Sequence, residues 1–401
     1  MRKINLLFIL YCVVVFSLSL GQLMALGRGE ANFYFFDISV AVFAIYGILY
    51  FLAKKSLLVP RGFVFLRLFI AVAGISLLKE ITTLSLEQFA VSGFYLIRFV
   101  IYFMSGLVCF NMLEQRIGSL KQFLSIFFYS AFLIAVVGFI QLIVLPDFIT
   151  LDPILGWDPH KNRLASTFFD PNFTGGYLSL SLGMALGALL LKKLKFTFWE
   201  ICIFIVIPAS ALFLTFSRSS WAMFAVTLFL LGLLRVRKLL LLGVVLAFFA
   251  YFAVPRVQTR ISGVTDPADS AAFRLVSWKN SLEIAKDHLG LGVGYNAYRY
   301  AQYDYGFFEA GKLGGNAGAG SDSSLLFVLA TTGVTGLFFF LLGLATFFVR
   351  SRDEIDRDWK IIIFALFCGL LLQSQFINSL FYPQILFFWI PILSIMSLSR
   401  R

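Results

Sequence analysis

Hydrophobic residues fall into about twelve long runs separated by short polar segments. Each run is long enough, at roughly 17–25 residues, to cross the hydrocarbon core of a bilayer as an α-helix. The pattern predicts an all-α, polytopic transmembrane bundle of about 12 helices, forming one integral-membrane domain over residues 1–401. The predicted spans are residues 4–23, 33–53, 62–79, 91–113, 122–146, 173–191, 197–215, 218–234, 238–254, 322–349, 360–379 and 384–398.

The polar segments between the runs alternate between basic and nearly neutral. Cytoplasmic loops of membrane proteins carry an excess of Lys and Arg, so the basic segments predict the inner side. Both chain termini are then inside, and two long segments, residues 147–172 and 255–321, are loops on the outer side of the membrane. The basic segments include Arg2/Lys3, Lys54/Lys55/Arg61, Arg116/Lys121, Lys192/Lys193/Lys195, Arg235/Arg237/Lys238, Arg350/Arg352/Arg357/Lys360 and Arg400/Arg401.

Composition narrows the class of protein further. A chain that is 60% hydrophobic with a mean hydropathy of +0.90 cannot be a soluble globular domain. Most of the net charge of +12 lies in short loops between spans, so we expect no nucleic-acid partner. The N-terminal run lacks a small-residue cleavage site and is interpreted as the first span. The cysteines lie in apolar runs and there are only two histidines, so no metal site or cofactor is predicted.

The longer loop, residues 255–321, contains two recognisable segments. The first predicts an amphipathic helix that begins at Asp269 or Ser270 and ends at Gly290. Its predicted apolar stripe consists of Leu275, Trp278, Leu282, Ala285 and Leu289. The second, residues 309–321, is rich in glycine. This composition predicts a movable lid over a site at the outer face of the membrane.

Arginines occur where an apolar helix should exclude them. At membrane depth an arginine costs at least ~2.5–3.5 kcal/mol, so we expect it to face a protein interior, an aqueous cavity or an anion. The residues in question are Arg67, Arg98 and Arg218. A predicted outer-side cluster indicates an anionic ligand, because guanidinium groups bind phosphate oxygens through a planar fork. This cluster comprises Arg163, Arg218, Arg256, Arg260 and Arg274. Arg256 and Arg260 have a simpler alternative, which is to reach the membrane interface or pair with Asp266 and Asp269.

Asp322 precedes the long apolar run of residues 322–349, and two interpretations of it stay open. Aspartate is a favoured helix N-cap. Alternatively, its carboxylate is a general base that takes a proton from an attacking sugar hydroxyl. A helix N-terminus lowers the pKa of a carboxylate and weakens it as a base, whereas desolvation would raise the pKa again.

Four segments in this order resemble motifs of the O-antigen ligase/polymerase superfamily of bacterial inner-membrane enzymes. Residues 163–172 (RLASTFFDPN) resemble its loop that ends in Pro-Asn before a span. Residues 216–221 (FSRSSW) resemble its Ser-Arg helix motif, and residues 274–294 resemble its periplasmic Arg/Trp helix and glycine turn. Asp322-Ser323, nine residues and Gly333-Val-Thr-Gly336 resemble the ligase signature, which has histidine where this chain has Asp322.

The resemblance implies a multi-pass enzyme of the bacterial inner membrane whose active site faces the periplasm. It implies metal-independent, inverting polymerisation of oligosaccharide repeat units carried on undecaprenyl diphosphate. Arg163, Arg218 and Arg274 would bind the diphosphate, and Asp322 would be the catalytic base. The aromatic residues Trp278, Tyr295 and Tyr298 would stack against sugar rings, although the two tyrosines fit a membrane-interface belt equally well.

The expected partners are undecaprenyl-diphosphate-linked glycans, membrane lipids and a chain-length regulator protein. Two alternatives remain at this point. The first is a ligase that transfers the glycan to lipid A-core, but Asp322 in place of histidine favours the polymerase branch. The second is a lipid-oligosaccharide flippase or transporter. Transporters usually show paired repeats and midplane sites, whereas the candidate residues here concentrate toward one face.

Overall fold

The protein is described here from a computed structural model. The described residues are 5–27, 31–149, 151, 159–263, 270–308, 320–349 and 355–398. Most of residues 309–321, which predict a lid, therefore lie outside the described residues. So do Asp266 and Asp269, the proposed ion-pair partners of Arg256 and Arg260.

Apolar helices account for most of the described chain, as predicted for an all-α membrane protein. The first half contains α1 Leu6–Leu20, α2 Phe35–Ala53, α3 Gly62–Lys79, α4 Leu86–Glu114, α5 Leu120–Val144, α6 Pro171–Leu190, α7 Phe198–Ile201 and α8 Ile207–Leu214. The second half contains α9 Arg218–Leu234, α10 Lys238–Ala253, α11 Pro255–Ser262, α12 Ser270–Asp287, α13 Tyr298–Asp304, α14 Ser324–Val349, α15 Arg357–Gln373 and α16 Pro383–Ile395. A short antiparallel ribbon joins β1 Ala25–Gly27 and β2 Phe33–Tyr34.

Helices occupy all twelve predicted spans, but their lengths differ. Within the described residues, seven helices are long and apolar enough to cross a membrane by themselves, or eight if the bent pair of α10 and α11 is one span. Shorter apolar helices occupy residues 218–234 and 383–395. A third occupies residues 198–214, where the π-helical turn Cys202–Val206 joins α7 to α8. The polytopic helical architecture is confirmed, and the total of about twelve spans stays a prediction.

The chain breaks sharply between α8 and α9, where the sequence left open one interrupted element. Phe216 has a φ of +46°, and the side chain of Ser217 accepts a hydrogen bond from the backbone N–H of Ser220. The left-handed residue ends one helix and the serine caps the next. Arg218 is consequently the first residue of α9 and does not lie in the middle of an apolar helix.

The other two arginines that the sequence singled out have different surroundings. Arg98 is 7% exposed on α4 and pairs with Asp37, as expected of an arginine that faces a protein interior. Arg67, in contrast, is exposed on the outer surface of α3. Arg67 therefore does not face the protein interior, because the buried face of α3 is formed by other residues, including Phe63 and Leu66. A contact of Arg67 with water or an anion stays a prediction.

Segments predicted to lie on the inner side come together at one end of the bundle. Lys193 contacts Asp356 at 2.7 Å, and Arg235 contacts Asp358 at 2.8 Å. These ion pairs join the segment after α6, the segment after α9 and the start of α15. Their meeting agrees with the predicted topology, which assigns all three segments to the same side.

Helix α14 is interrupted at Gly333, and a turn from the long loop docks into the interruption. Gly333 has φ +67° and ψ −172°, a conformation that is essentially restricted to glycine. The N–H of Val334 donates to the carbonyl of Leu289 at 2.8 Å, and the N–H of Val293 donates to that of Ala330 at 2.9 Å. These bonds attach the turn after α12 to α14.

Replacing Gly333 with alanine should lower the free energy of unfolding by at least about 1–3 kcal/mol, the usual cost of a strained backbone conformation. A Cβ at this position would also lie 2.3 Å from the carbonyl oxygen of Gly290. Gly243→Ala on α10 is the control, because no atom lies within 4 Å of its new Cβ. Thermal unfolding of the detergent-purified variants measures the difference. Equal melting temperatures for the two variants would contradict the docking described above.

Candidate active site

A polar cavity of about 520 Å³ opens at one end of the bundle. The ion pairs of Lys193 and Arg235 lie at the opposite end. Residues at or beside the N-terminal ends of α6, α9, α14 and α16 contribute to its wall. Helix N-terminal ends carry partial positive charge, so their convergence favours an anion. Among the described residues, the lining includes six arginines: Arg98, Arg163, Arg218, Arg260, Arg274 and Arg299.

Only two carboxylates accompany these arginines in the described part of the lining, Asp170 and Asp322. Asp170 serves the structure of its own helix. The Oδ1 of Asp170 accepts hydrogen bonds from the N–H groups of Asn172 and Phe173, which makes it the N-cap of α6. The cavity keeps an excess of positive charge and suits a polyanion such as a diphosphate.

Arg163 is 9% exposed and is held from two directions. Its Nε donates to the carbonyl of Thr215 at 2.9 Å, and its Nη2 donates to Oδ1 of Asn172 at 3.3 Å. The same Asn172 oxygen accepts a bond from the hydroxyl of Ser217 at 2.8 Å. The Pro-Asn pair thus begins α6 and orients an arginine at the break between α8 and α9.

Arg218 and Arg260 are linked through the backbone beside each of them. Arg218 Nη1 donates to the carbonyl of Arg260 at 2.9 Å, and Arg260 Nε donates to the carbonyl of Phe216 at 3.2 Å. These bonds fix the end of α11 against the start of α9. Of the two interpretations that the sequence left open for Arg260, its place in the cavity wall agrees with membership of the outer-side arginine cluster.

Arg256 does not line the cavity. Its guanidinium donates to the carbonyls of Lys161 and Asn162 and lies 4.3 Å from the ring centre of Phe216. It therefore fastens the loop before α6 to α11. This contact orders the segment that carries Arg163.

Asp322 and Arg274 come together in the cavity although 47 residues separate them. Burial raises the pKa of the Asp322 carboxyl above its ordinary value, while the charge of Arg274 and a hydrogen bond with Ser277 oppose that rise. The net direction is upward, so the carboxylate is a stronger base than an exposed aspartate. Its backbone N–H donates to the hydroxyl of Ser277 at 3.0 Å, which ties it to α12.

The N-cap of α14 is Ser323 and not Asp322. The hydroxyl of Ser323 accepts a hydrogen bond from the N–H of Leu326 at 3.2 Å, and its carbonyl accepts from Phe327. Asp322 lies one residue before the cap. Its carboxylate is consequently not engaged in the capping role that the sequence suggested as an alternative.

The three aromatic residues predicted to stack on sugars differ in whether they line the cavity. Tyr295 lines the cavity with 3% of its surface exposed. Tyr298 is fully buried, bonds through its hydroxyl to Ser281 at 2.6 Å, and does not belong to the cavity lining. Trp278 packs near Phe376 at 5.7 Å between ring centres and is also outside the lining. The structure brings only Tyr295 of the three to the cavity.

Helix α12 buries only part of the predicted stripe. Ala285 is buried and Trp278 is half-buried, whereas Leu275, Leu282 and Leu289 are exposed and Ser281 and Ile284 are buried instead. The reason is tertiary: this helix packs beside α13 and α14, and Ile284 joins a small core cluster there. Ser281 is accommodated because it bonds to the buried hydroxyls of Tyr298 and Ser321.

Sequence reasoning missed Arg299 and did not assign Arg98 to the site. Arg299 is 8% exposed at the start of α13, and both arginines line the cavity. Arg98 carried a signal, namely an arginine within an apolar run. Arg299 stands among tyrosines in a polar stretch, where an arginine is unremarkable and gives no such signal.

Neither histidine lies in the cavity lining. His160 is buried against Phe148, with 4.4 Å between ring centres, and His288 follows α12. In the part of the chain that the structure describes, no three His, Cys, Asp or Glu side chains are grouped so as to hold a metal ion.

Comparison with known proteins identifies one family. Residues 203–341 match the family model described as O-antigen ligase. This segment carries Arg218, Arg274, Asp322 and Gly333, whereas Arg98 and Arg163 lie outside it. The resemblance to the O-antigen ligase/polymerase superfamily is thereby confirmed over that segment. A search of the curated proteins gave no match.

Proposed function

We propose that this protein, which carries an O-antigen ligase family domain, is a glycosyltransferase of the bacterial inner membrane. It polymerises oligosaccharide repeat units that are linked to undecaprenyl diphosphate, at the periplasmic face. The observation that carries the proposal is the carboxylate of Asp322 beside Arg274 in a cavity rich in arginine. A base and an anion cradle are the two parts that glycosyl transfer from a lipid diphosphate needs.

The proposed reaction is one displacement with inversion at the anomeric carbon. A hydroxyl of the acceptor sugar forms a new C–O bond, and the bond from the anomeric carbon to the lipid diphosphate breaks. The proton of the hydroxyl passes to Asp322, and the electron pair leaves with the diphosphate. Arg163, Arg218 and Arg274 stabilise the charge that develops on the leaving oxygen. Hydrogen bonds to backbone carbonyls fix the positions of Arg163 and Arg218 before the reaction.

Two features support a polymerase in preference to a ligase. Asp322 occupies the position at which the ligase signature has histidine. In addition, polymerisation brings together two lipid diphosphates, one on the donor and one on the acceptor. Six lining arginines in the described region supply enough guanidinium groups for both. The description of the matched family favours the second candidate, a ligase that uses the same donor and transfers the glycan to lipid A-core.

Lipid-linked glycans extracted from a strain that lacks the protein would test the proposal. A polymerase defect should leave single repeat units on undecaprenyl diphosphate in the periplasmic leaflet. Accumulated long chains would instead indicate the ligase, and units confined to the cytoplasmic leaflet would indicate a flippase. Complementation with the wild-type chain should restore long chains in the first case.

Asp322→Asn should lower the polymerisation rate on the order of 10²–10⁴-fold, because the amide cannot accept the proton. Ser323→Ala is the matched control: it removes the helix cap and should cost about 1 kcal/mol of stability with the rate largely kept. Rates are measured on purified protein at equal concentration. An active Asn variant would remove Asp322 from the mechanism.

The pH profile gives an independent test of the same base. The rate should fall as pH drops through the raised pKa of Asp322, because only the ionised carboxylate accepts a proton. Ser277→Ala removes a hydrogen bond that lowers this pKa, so the acidic limb of the profile should move to higher pH. A limb that stays in place or moves to lower pH would argue against titration of Asp322.

Arg218→Ala should lower the rate on the order of 10²-fold, since it removes one fixed donor to the leaving diphosphate. Arg218→Lys should recover little of it, because an ammonium group cannot reproduce the planar fork. Arg67→Ala is the control, as Arg67 is exposed on α3 and lies outside the cavity lining. The readout is the glycan ladder at matched protein abundance, and a normal ladder from Arg218→Ala would contradict the assignment.

A further inference from the structure

A second cavity, of about 500 Å³, runs along the outer surface of the bundle between α2 and α4. Its walls are almost entirely apolar. The α2 side presents residues spaced three or four apart, which therefore lie on one helical face. These wall residues are Ile38, Ala41, Val42, Ile45 and Leu49 from α2, together with Phe94, Ile97 and Ile101 from α4. We call this cavity the α2–α4 groove.

The groove has the length and setting of a hydrocarbon-chain site. From Ile38 to Leu49 the helix rises roughly 16 Å, at 1.5 Å per residue, which is about half of a ~30 Å hydrocarbon core. Val42, Ile45 and Leu49 are each about half exposed, so the groove is open toward the lipid. A single extended hydrocarbon chain could lie in the groove from the outer face of this membrane to the bilayer centre.

Arg98 is shared by the groove and the polar cavity, since it lines both. Its Nη2 donates to Asp37 at 2.8 Å and to the carbonyl of Asn32, and Tyr102 donates its hydroxyl to the other Asp37 oxygen at 2.9 Å. The Nε of Arg98 is buried and has no hydrogen-bond partner among the described residues. A donor is thus left at the junction between the apolar and the polar compartment.

A structural ion pair alone does not account for this arrangement well. Burying two charges at a lipid-facing groove is costly, and apolar residues of similar size would usually serve stability equally. The pair does fix the guanidinium in one position, and the rings of Phe94 and Tyr95 lie 4.7 and 5.0 Å from it. Although Asp37 pairs with this guanidinium, its Nε remains a fixed donor at the outer end of an apolar groove, which is complementary to a lipid whose head group accepts hydrogen bonds.

We propose that the α2–α4 groove binds the hydrocarbon chain of a lipid diphosphate whose head group lies in the polar cavity, with Arg98 at the junction. The inference rests on the proposed function for the identity of the lipid. The new element is the route by which that lipid passes from the bilayer into the site. It also assigns a role to Arg98, which lies outside the segment that matches the family model.

Photocrosslinking with undecaprenyl diphosphate as the probe tests the groove without requiring turnover. A benzophenone amino acid replaces Ile45 in the groove or, as the control, Leu68, which is similarly exposed on α3 and lies outside the groove. The full-length protein is reconstituted in nanodiscs of phosphatidylethanolamine and phosphatidylglycerol, and adducts are identified by mass spectrometry. We expect several-fold more probe adduct at position 45 than at position 68, and less labelling by undecaprenol, which lacks the diphosphate.

A second measurement uses variants that keep the fold. Ile45→Trp fills the groove from a half-exposed position and should raise KM for the lipid-linked substrate several-fold with a smaller change in kcat. Leu68→Trp should change neither. Equal labelling at both positions, equal labelling by undecaprenol, or an unchanged KM in Ile45→Trp would each overturn the inference. Preferential labelling in a protein that does not polymerise would overturn the proposed reaction and leave the groove assignment standing.

Discussion

Guanidinium groups that share one cavity repel one another, and the break between α8 and α9 supplies acceptors that hold two of them, Arg163 and Arg260. The last carbonyl groups of a helix have no partner within it and carry partial negative charge. At the end of α8, the carbonyls of Thr215 and Phe216 accept hydrogen bonds from Arg163 and Arg260. The same break exposes the positive end of α9, where Arg218 lies. This one interruption of the helix therefore provides carbonyl groups that bind arginines, and it adds the positive N-terminal end of α9 to the charge of the cavity.

The interruption of α14 has a comparable role on the other side of the cavity. The turn after α12 docks at Gly333, and the hydroxyl of Ser76 on α3 lies 2.6 Å from the carbonyl of Leu291 and 2.7 Å from that of Thr331. The long loop is thereby attached to the membrane bundle. Because α12 supplies Arg274 and α14 follows Asp322, this attachment determines how the cation and the carboxylate face each other.

The cavity is a composite of the two halves of the chain. The segment that matches the family model contributes Arg218, Arg274 and Asp322. The N-terminal half contributes Arg98 on α4 and, through the loop before α6, Arg163 and the Pro-Asn pair. The candidate base and part of the arginine set thus come from the matched segment, whereas the other arginines and much of the cavity wall come from helices elsewhere in the sequence.

The amino-acid sequence by itself determined the helical membrane architecture, the positions of the apolar helices and the basic segments that meet at one end. These features follow from hydrophobicity and charge along the chain, which are local properties. It also singled out Arg163, Arg218, Arg274 and Asp322, because the arginines belong to the predicted outer-side cluster and all four residues lie in segments that resemble family motifs.

Only the tertiary structure decided which charged and aromatic residues share the cavity. Arg299 and Arg260 join it, while Tyr298 is enclosed between α12 and α14. Ser323, and not its neighbour Asp322, caps α14, since capping depends on which side chain turns back to the helix. Packing likewise selected the buried face of α12, because burial is determined by the neighbouring helices and not by the order of residues along one helix.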